Sequence, residues 1–232
     1  MPLDPQYEAL ASQSCLVLCL KAPERSKRRL LSQIGDAAAV AAAHLLACAF
    51  EDLAAWPGPV VLAPAERRDA AWLDATATAP YDVIVQRGGS LGDRINGVDR
   101  TLRERGQERL IFIGTDCPAI DLAYIGEATA ALADHDGVLG PARDGGVVLM
   151  GARKPWPTLG DLAWSTPSLH AELRLRLREH HWKVTDLAAR ADVDDAADLE
   201  LAAQQLQTDE RPARKALLEW LQRLQREGAP VT

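Results

Sequence analysis

Glycine is missing from the stretch that most invites it. The basic segment KAPERSKRR, 21–29, follows an apolar run, yet no glycine occurs from Ala22 to Ile34. That excludes a glycine-rich backbone nest of the P-loop kind, so a phosphate held there must be held largely by side chains. Cysteine is scarce as well. Cys15, Cys19, Cys48 and Cys117 are too few and scattered for a disulfide framework, and the absence of a CxxC pair argues against structural zinc. Cys15 and Cys19 read as buried thiols. No His neighbours Cys117 in sequence, so it reads as a buried thiol rather than a nucleophile. Positive charge is not in excess. A formal net charge of −7 excludes general nucleic-acid binding but leaves room for a local basic pocket. Apolar runs are short or Ala-rich, and none approaches about 18–20 strongly apolar residues, so no membrane span is expected. The start, MPLDPQYEAL, has neither the basic nor the apolar region of a signal peptide, which makes the cytoplasm the expected location.

What is present is an alternation of strands and helices. Apolar runs of strand length occur at 15–20, 60–62, 81–86 and 110–114, and again at 137–142, 147–152 and 183–187. Helical patterns occur at 36–55, about 93–105, from Asp121 as a cap, from Thr166-Pro167 to about 181, at 197–206 and at 212–226. This order predicts an α/β sandwich with a mostly parallel sheet, mixed because the runs at 137–152 adjoin. There is no repeat, low-complexity tract or linker. One domain is expected over 15–206, preceded by an extension at 1–14 and followed by an amphipathic helix within 207–232.

In open α/β sheets, ligands bind beyond the carboxyl ends of the strands. The segments there are 21–29, 87–94, 115–118, 143–146 and 188–195. They contain Asp116, Asp144 and Asp194, oxygen donors of the kind that Mg²⁺ and Mn²⁺ prefer. Five cations, Lys21, Arg25, Lys27, Arg28 and Arg29, fall in nine residues, and Arg suits diphosphate oxygens. Each acid alone could be a turn or cap residue, and the basic run could be a solvated loop. The glycines of RGGSLGDR, 87–94, and RDGG, 143–146, allow close backbone approach or simply a turn.

Taken together, KAP…KRRL (21–30), SLGDR (90–94), FIGTDCP (112–118), LGPARDGG (139–146), WSTP (164–167) and VDDAADL (193–199) resemble a bacterial family of the GT-A-like superfamily. It is the domain of unknown function 2064, whose members are labelled glycosyltransferase-like or arsenosugar-biosynthesis-type transferases. The family is similar to the guanylyltransferases of molybdenum-cofactor and deazaflavin-cofactor (phospholactate) synthesis. The chain departs from the pattern in three places. Its first loop is two residues shorter, with Arg28 for Thr and no glycine. Val147-Val148 replace two tyrosines, and Asp195-Ala196-Ala197 replace Thr-Pro-Glu.

The resemblance implies a nucleotide-diphospho-sugar transferase (GT-A-like) fold, a Rossmann-like three-layer sandwich. It implies a metal held by Asp116 and Asp194, and matches Asp144 to the acid of the family's GPxxDGG motif; acceptor positioning or general base is the role expected of Asp144. Lys21, Lys27, Arg28, Arg29, Gly92 and Arg94 are the expected nucleotide and phosphate contacts. The expected activity is metal-dependent transfer from a nucleotide-activated donor, as glycosyl transfer to a small acceptor with Mg²⁺ or Mn²⁺. Nucleotidyl transfer with release of pyrophosphate is the alternative, and a non-catalytic nucleotide-binding protein the second. The expected partners are thus a nucleotide or nucleotide-sugar donor and a small-molecule acceptor. A homodimer is left open.

Overall fold

A computed structural model of the chain describes residues 5–76 and 81–226. Helix α1 (Pro5–Ala11) leads into strand β1 (Ser14–Leu20). Helices α2 (Arg28–Ile34) and α3 (Ala37–Ala55) follow, then β2 (Val60–Pro64), α4 (Arg67–Thr76) and β3 (Asp82–Val83). The middle of the chain is α5 (Leu91–Glu104), β4 (Arg109–Ile113), α6 (Leu122–Asp134), β5 (Gly137–Pro141) and β6 (Val147–Ala152). It closes with α7 (Leu169–Glu179), β7 (Val184–Asp186), α8 (Ala196–Gln205) and α9 (Pro212–Arg226).

One sheet takes the strand order β3-β2-β1-β4-β6-β5-β7. Its pairings are parallel except those of β6, which runs antiparallel to both β4 and β5. The mixed, mostly parallel sheet expected from the adjoining runs is therefore present. β1 and β4 are apolar on both faces because helices cover both. Leu16 and Leu18 face the side of α3 and α6, while Cys15 and Val17 face α5 and α7. Full burial of a Val, Leu, Ile, Phe or Met side chain contributes about 1.5–3 kcal/mol, and among the described residues thirty of these are buried in the two clusters flanking the sheet.

A third cluster lies outside the sandwich. There Leu30 and Ile34 of α2, Ala41 and Leu45 of α3, Leu199 of α8 and Leu217 and Leu221 of α9 pack together. α3 has 19 residues and is apolar enough, by length and composition alone, to cross a membrane. Here half of it is buried inside the protein, and its buried Asp52 pairs with Arg214 and Arg211 of the α9 region.

Three local differences from the sequence reading have physical causes. Only Asp82 and Val83 pair as β3, although the Ile84 and Gln86 N–H groups still bond to Leu62 and Pro64 of β2. α7 starts at Leu169 rather than at Pro167, because the turn before it docks on the β5–β6 turn, where the His170 N–H bonds to the Gly145 carbonyl. Much of the basic segment is not open loop: Pro23–Arg25 is a 3-10 turn and α2 begins at Arg28.

Candidate active site at the sheet switch point

The chain runs outward from β1 through β2 to β3, then returns to place β4 on the other side of β1. The crevice beyond the carboxyl ends of β1 and β4 is thus the switch point where such sheets bind ligands. Residues 21–29 leave from one of these strands and Asp116 from the other.

The loop after β1 is fixed from beneath by a buried acid. Asp69 of α4 accepts the Ala22 N–H at 3.1 Å and the Arg25 guanidinium at 2.7 Å, and Arg25 also pairs with Glu66 at 2.7 Å. Arg25 is therefore committed to holding the loop. Lys27 has the left-handed backbone, φ 55° and ψ 47°, that glycine would take most easily. This conformation sends its side chain inward. The Lys27 ammonium is 2.8 Å from Asp116 Oδ1 and 3.6 Å from Asp194 Oδ1, and it donates to the Val193 carbonyl. Three partners match the three donors of an ammonium group. Arg29 is exposed and lies 3.3 Å from Asp194. The side chain of Arg28 lies outside the described residues.

A run of hydrogen bonds lays residues 187–193 against the sheet ends. The Leu187 N–H donates to Leu139, the Tyr124 hydroxyl to Ala188, the Arg190 N–H to Pro141 and the Val193 N–H to Asp116. Arg190 also lies over the Tyr124 ring at 4.5 Å. This brings Asp192 and Asp194 to Asp144 on the β5–β6 turn, with carboxylate oxygens of all three within 4.8 Å of one another. Asp144 also accepts the Gly146 N–H at 2.8 Å. The turn can close on α7 only because Gly145 has φ 92°, and a Cβ there would meet the Pro167 carbonyl at 2.0 Å. Burial, then the neighbouring Asp144, Asp194 and Asp116 charges, push the Asp192 carboxyl up to about 6. The cap of α8 is Asp195, in a capping box with Asp198, so Asp194 is left free for the site.

Asp116 itself accepts from Thr115 Oγ1 at 3.0 Å. The chain just beyond it is anchored by the C-terminal helix. Fully buried Arg214 donates to the Pro118 and Ile120 carbonyls at 3.1 and 2.9 Å, and Arg211 donates to Ile120 at 3.0 Å. Cys117 is buried and bonded to the Ala191 carbonyl, and burial pushes its thiol up to about 12, which suits a structural thiol. Cys15 is buried as expected, whereas Cys19 is half-buried and reaches the site.

Two hollows meet at Asp116. The larger, about 520 Å³, is polar and lined by Lys21, Lys27, Arg29, Arg94, Gln86 and Asp194 among others. Lys21 and Arg94 have no ion pair among the described residues, so both are free to meet an anion. The smaller, about 200 Å³, is walled mainly by apolar side chains and reaches Asp192. Gly92 lines neither. It is buried in α5, where a Cβ would meet the Leu159 carbonyl at 2.0 Å, so it serves close packing. Asp192 did not stand out in the sequence, although it lies in the flagged segment 188–195. The acids Asp192, Asp194 and Asp195 in so short a stretch after a strand were the available signal.

The donor set tests whether a metal fits. Three converging carboxylates, one of them resisting ionisation among its neighbours, form a hard oxygen cluster that favours a divalent cation of the Mg²⁺ or Mn²⁺ type. The family model described as "Uncharacterized protein conserved in bacteria (DUF2064)" matches residues 35–166, more than half of the chain. The chain belongs to this bacterial family. Among solved structures, this DUF2064 protein is similar to one from Desulfovibrio desulfuricans G20 described provisionally as a nucleotide-diphospho-sugar transferase. That match has 24% identity and a TM-score of 0.85, and covers 93% of this chain and 98% of the other. An Rv0371c homologue from Mycobacterium sp. strain JC1 matches at 16% identity and TM-score 0.55, covering 92% and 98%. A cytidylyltransferase from Leptospira borgpetersenii matches at 15% identity and TM-score 0.53, covering 92% and 94%. No curated protein matches the chain.

Proposed function

We propose that this DUF2064 protein is a metal-dependent transferase that takes a nucleotide-activated donor and passes its sugar to a small acceptor. The observation that carries this reading is the convergence of Asp144, Asp192 and Asp194 beside a cation-lined cleft at the sheet switch point. Names borne by proteins of the same fold, a nucleotide-diphospho-sugar transferase and a cytidylyltransferase, support nucleotide use.

Asp192 and Asp194 would hold the ion, with Asp116 as a third candidate, since sites for phosphorylated substrates use one or two carboxylates. The ion would supply charge neutralisation to the leaving diphosphate. Lys21 and Arg94 bind the diphosphate from the cleft walls, with Arg29 at the rim. Lys27 keeps Asp116 and Asp194 in place and offsets their charge. In the transfer, the acceptor hydroxyl oxygen bonds to the anomeric carbon as the bond from that carbon to the diphosphate breaks. The diphosphate leaves with the electron pair. Asp144, the exposed acid at the rim, takes the hydroxyl proton.

Nucleotidyl transfer is the second reading, favoured by the likeness to the Leptospira cytidylyltransferase fold. Thermal shift with CTP, GTP and nucleotide sugars, each with and without Mn²⁺, tests both. The expected outcome is a metal-dependent rise in Tm. Release of a nucleoside diphosphate from a nucleotide sugar selects glycosyl transfer, whereas pyrophosphate from a nucleoside triphosphate selects the second reading. No shift with any nucleotide overturns both and leaves a protein without this activity.

A further inference from the structure

The smaller hollow has a chemistry of its own. Ile95, Phe112, Val147, Leu149, Met150 and Trp164 are among the apolar side chains that wall it. It joins the polar cleft through Cys19, Leu91, Gly114 and Asp116, which line both. Its ionisable groups are two carboxylates, Asp116 and Asp192, and two thiols, Cys19 and Cys117. Among the described residues, no Lys, Arg or His lines it. The free cations of the site, Lys21 and Arg94, line the other hollow. At about 200 Å³ it is smaller than the roughly 300–1,000 Å³ of pockets that enclose drug-sized ligands.

Resting on the reading above, we propose that this pocket seats the acceptor, and that the acceptor is an uncharged alcohol with a small apolar body. Three features combine. Apolar walls stabilise an apolar body by removing its surface from water. The positive charge beside these two carboxylates is already committed, the Lys27 ammonium to Asp116 at 2.8 Å and the proposed ion to the donor diphosphate, so an acceptor carrying its own phosphate or carboxylate would meet carboxylates with no unshared cation lining the pocket. Asp116 lies where the pocket meets the polar cleft, so a hydroxyl at that end of the ligand faces the donor. Val147 and Val148 stand here, and their branched aliphatic side chains leave the pocket with no hydroxyl from the β6 start.

Benzyl alcohol and benzyl phosphate share one apolar body and differ in charge. Each is titrated into the full chain with Mg²⁺ and saturating CDP or GDP present, by calorimetry and by intermolecular NOE to ¹³C-labelled methyl groups. Benzyl alcohol is expected to give NOEs to Val147, Leu149 and Ile113 and to bind about tenfold more tightly at this place than benzyl phosphate. Val147→Phe, which fills the pocket, is expected to weaken the alcohol by about tenfold while metal-dependent nucleotide affinity stays within about twofold. Should that variant fail to fold, the NOE map on the unaltered protein decides. Benzyl phosphate binding here as tightly as the alcohol, or NOEs confined to other surfaces, overturns the proposal while nucleotide binding stands. Absence of any metal-dependent nucleotide binding overturns the transferase reading and this inference with it.

Discussion

The ammonium of Lys27 bridges to Asp116 at 2.8 Å, and its side chain is only 3% exposed although it belongs to a basic surface segment. Arg29, two residues on, is 68% exposed. The two cations therefore have different roles. Lys27→Met keeps the volume and removes the charge between two acids. It is expected to weaken metal-dependent nucleotide binding by about ten- to a hundredfold, the equivalent of one charge-assisted hydrogen bond. Arg29→Ala is expected to stay within about twofold to threefold, because an exposed pair contributes about 1 kcal/mol or less. Calorimetry at fixed salt compares them, and equal losses would remove the distinction.

Acid substitutions separate the metal ligands from their neighbours. Asp194→Asn and Asp192→Asn are each expected to reduce Mn²⁺ affinity by about tenfold or more, since a hard ion loses a charged oxygen donor. Asp116→Asn is expected to reduce it as well and to free Lys27 from its nearest partner. Unchanged Mn²⁺ affinity in a folded Asp116→Asn protein would give Asp116 the role of Lys27 anchor alone. All three should remain folded, because these carboxylates are at most half-buried.

Stability and metal affinity should respond oppositely to pH around the acid cluster. The Asp192 carboxyl is raised to about 6 from 3.8 by burial and by Asp144, Asp194 and Asp116, with Lys27 lying between the last two. A raised folded value means that the native state binds the proton more tightly than the unfolded chain. The stability this group contributes is present below about pH 4 and is lost as pH rises through about 6. An ion must displace that proton, so Mn²⁺ affinity should fall by up to about tenfold per unit as pH drops below 6. Urea melts at pH 5 and 7, with and without Mn²⁺, check both signs. In Asp192→Asn this pH dependence should shrink.

Gly92→Ala tests packing against phosphate binding. A methyl group there meets the Leu159 carbonyl at 2.0 Å and the Trp164 indole nitrogen at 2.6 Å. Overpacking of this kind typically destabilises by about 1–3 kcal/mol. The expected result is a lower Tm with little change in nucleotide affinity once the protein is folded. The reverse pattern would return Gly92 to the phosphate site.

The frame of the molecule was readable because its periodicities are strong. β1, β4, β5 and β6 are compact apolar runs, and Asp121 caps α6 as expected by accepting the Tyr124 N–H at 2.8 Å. α2 and α4 were harder, because each is rich in charge. Leu30 and Ile34 do mark a buried face of α2 at helical spacing, but Lys27, Arg28 and Arg29 conceal its start. Lys27 adopts a left-handed backbone in a segment without glycine, with its ammonium held by two acids distant in sequence. Asp192 could not be told from other turn acids, since its character comes from Asp144, 48 positions earlier, and no local pattern records that meeting.

The anchoring of the Asp116 loop by the last helix has a consequence for synthesis. The Pro118 carbonyl receives its donor from Arg214, 96 residues further along. A ribosome therefore makes Asp116, Asp144, Asp192 and Asp194 before the arginine that tethers the chain beyond the first of them. The nascent protein passes through a stage at which every acid of the site exists and the support beneath Asp116 does not. The tether beyond Asp116 can therefore form only after α9 has been made and packs against α3.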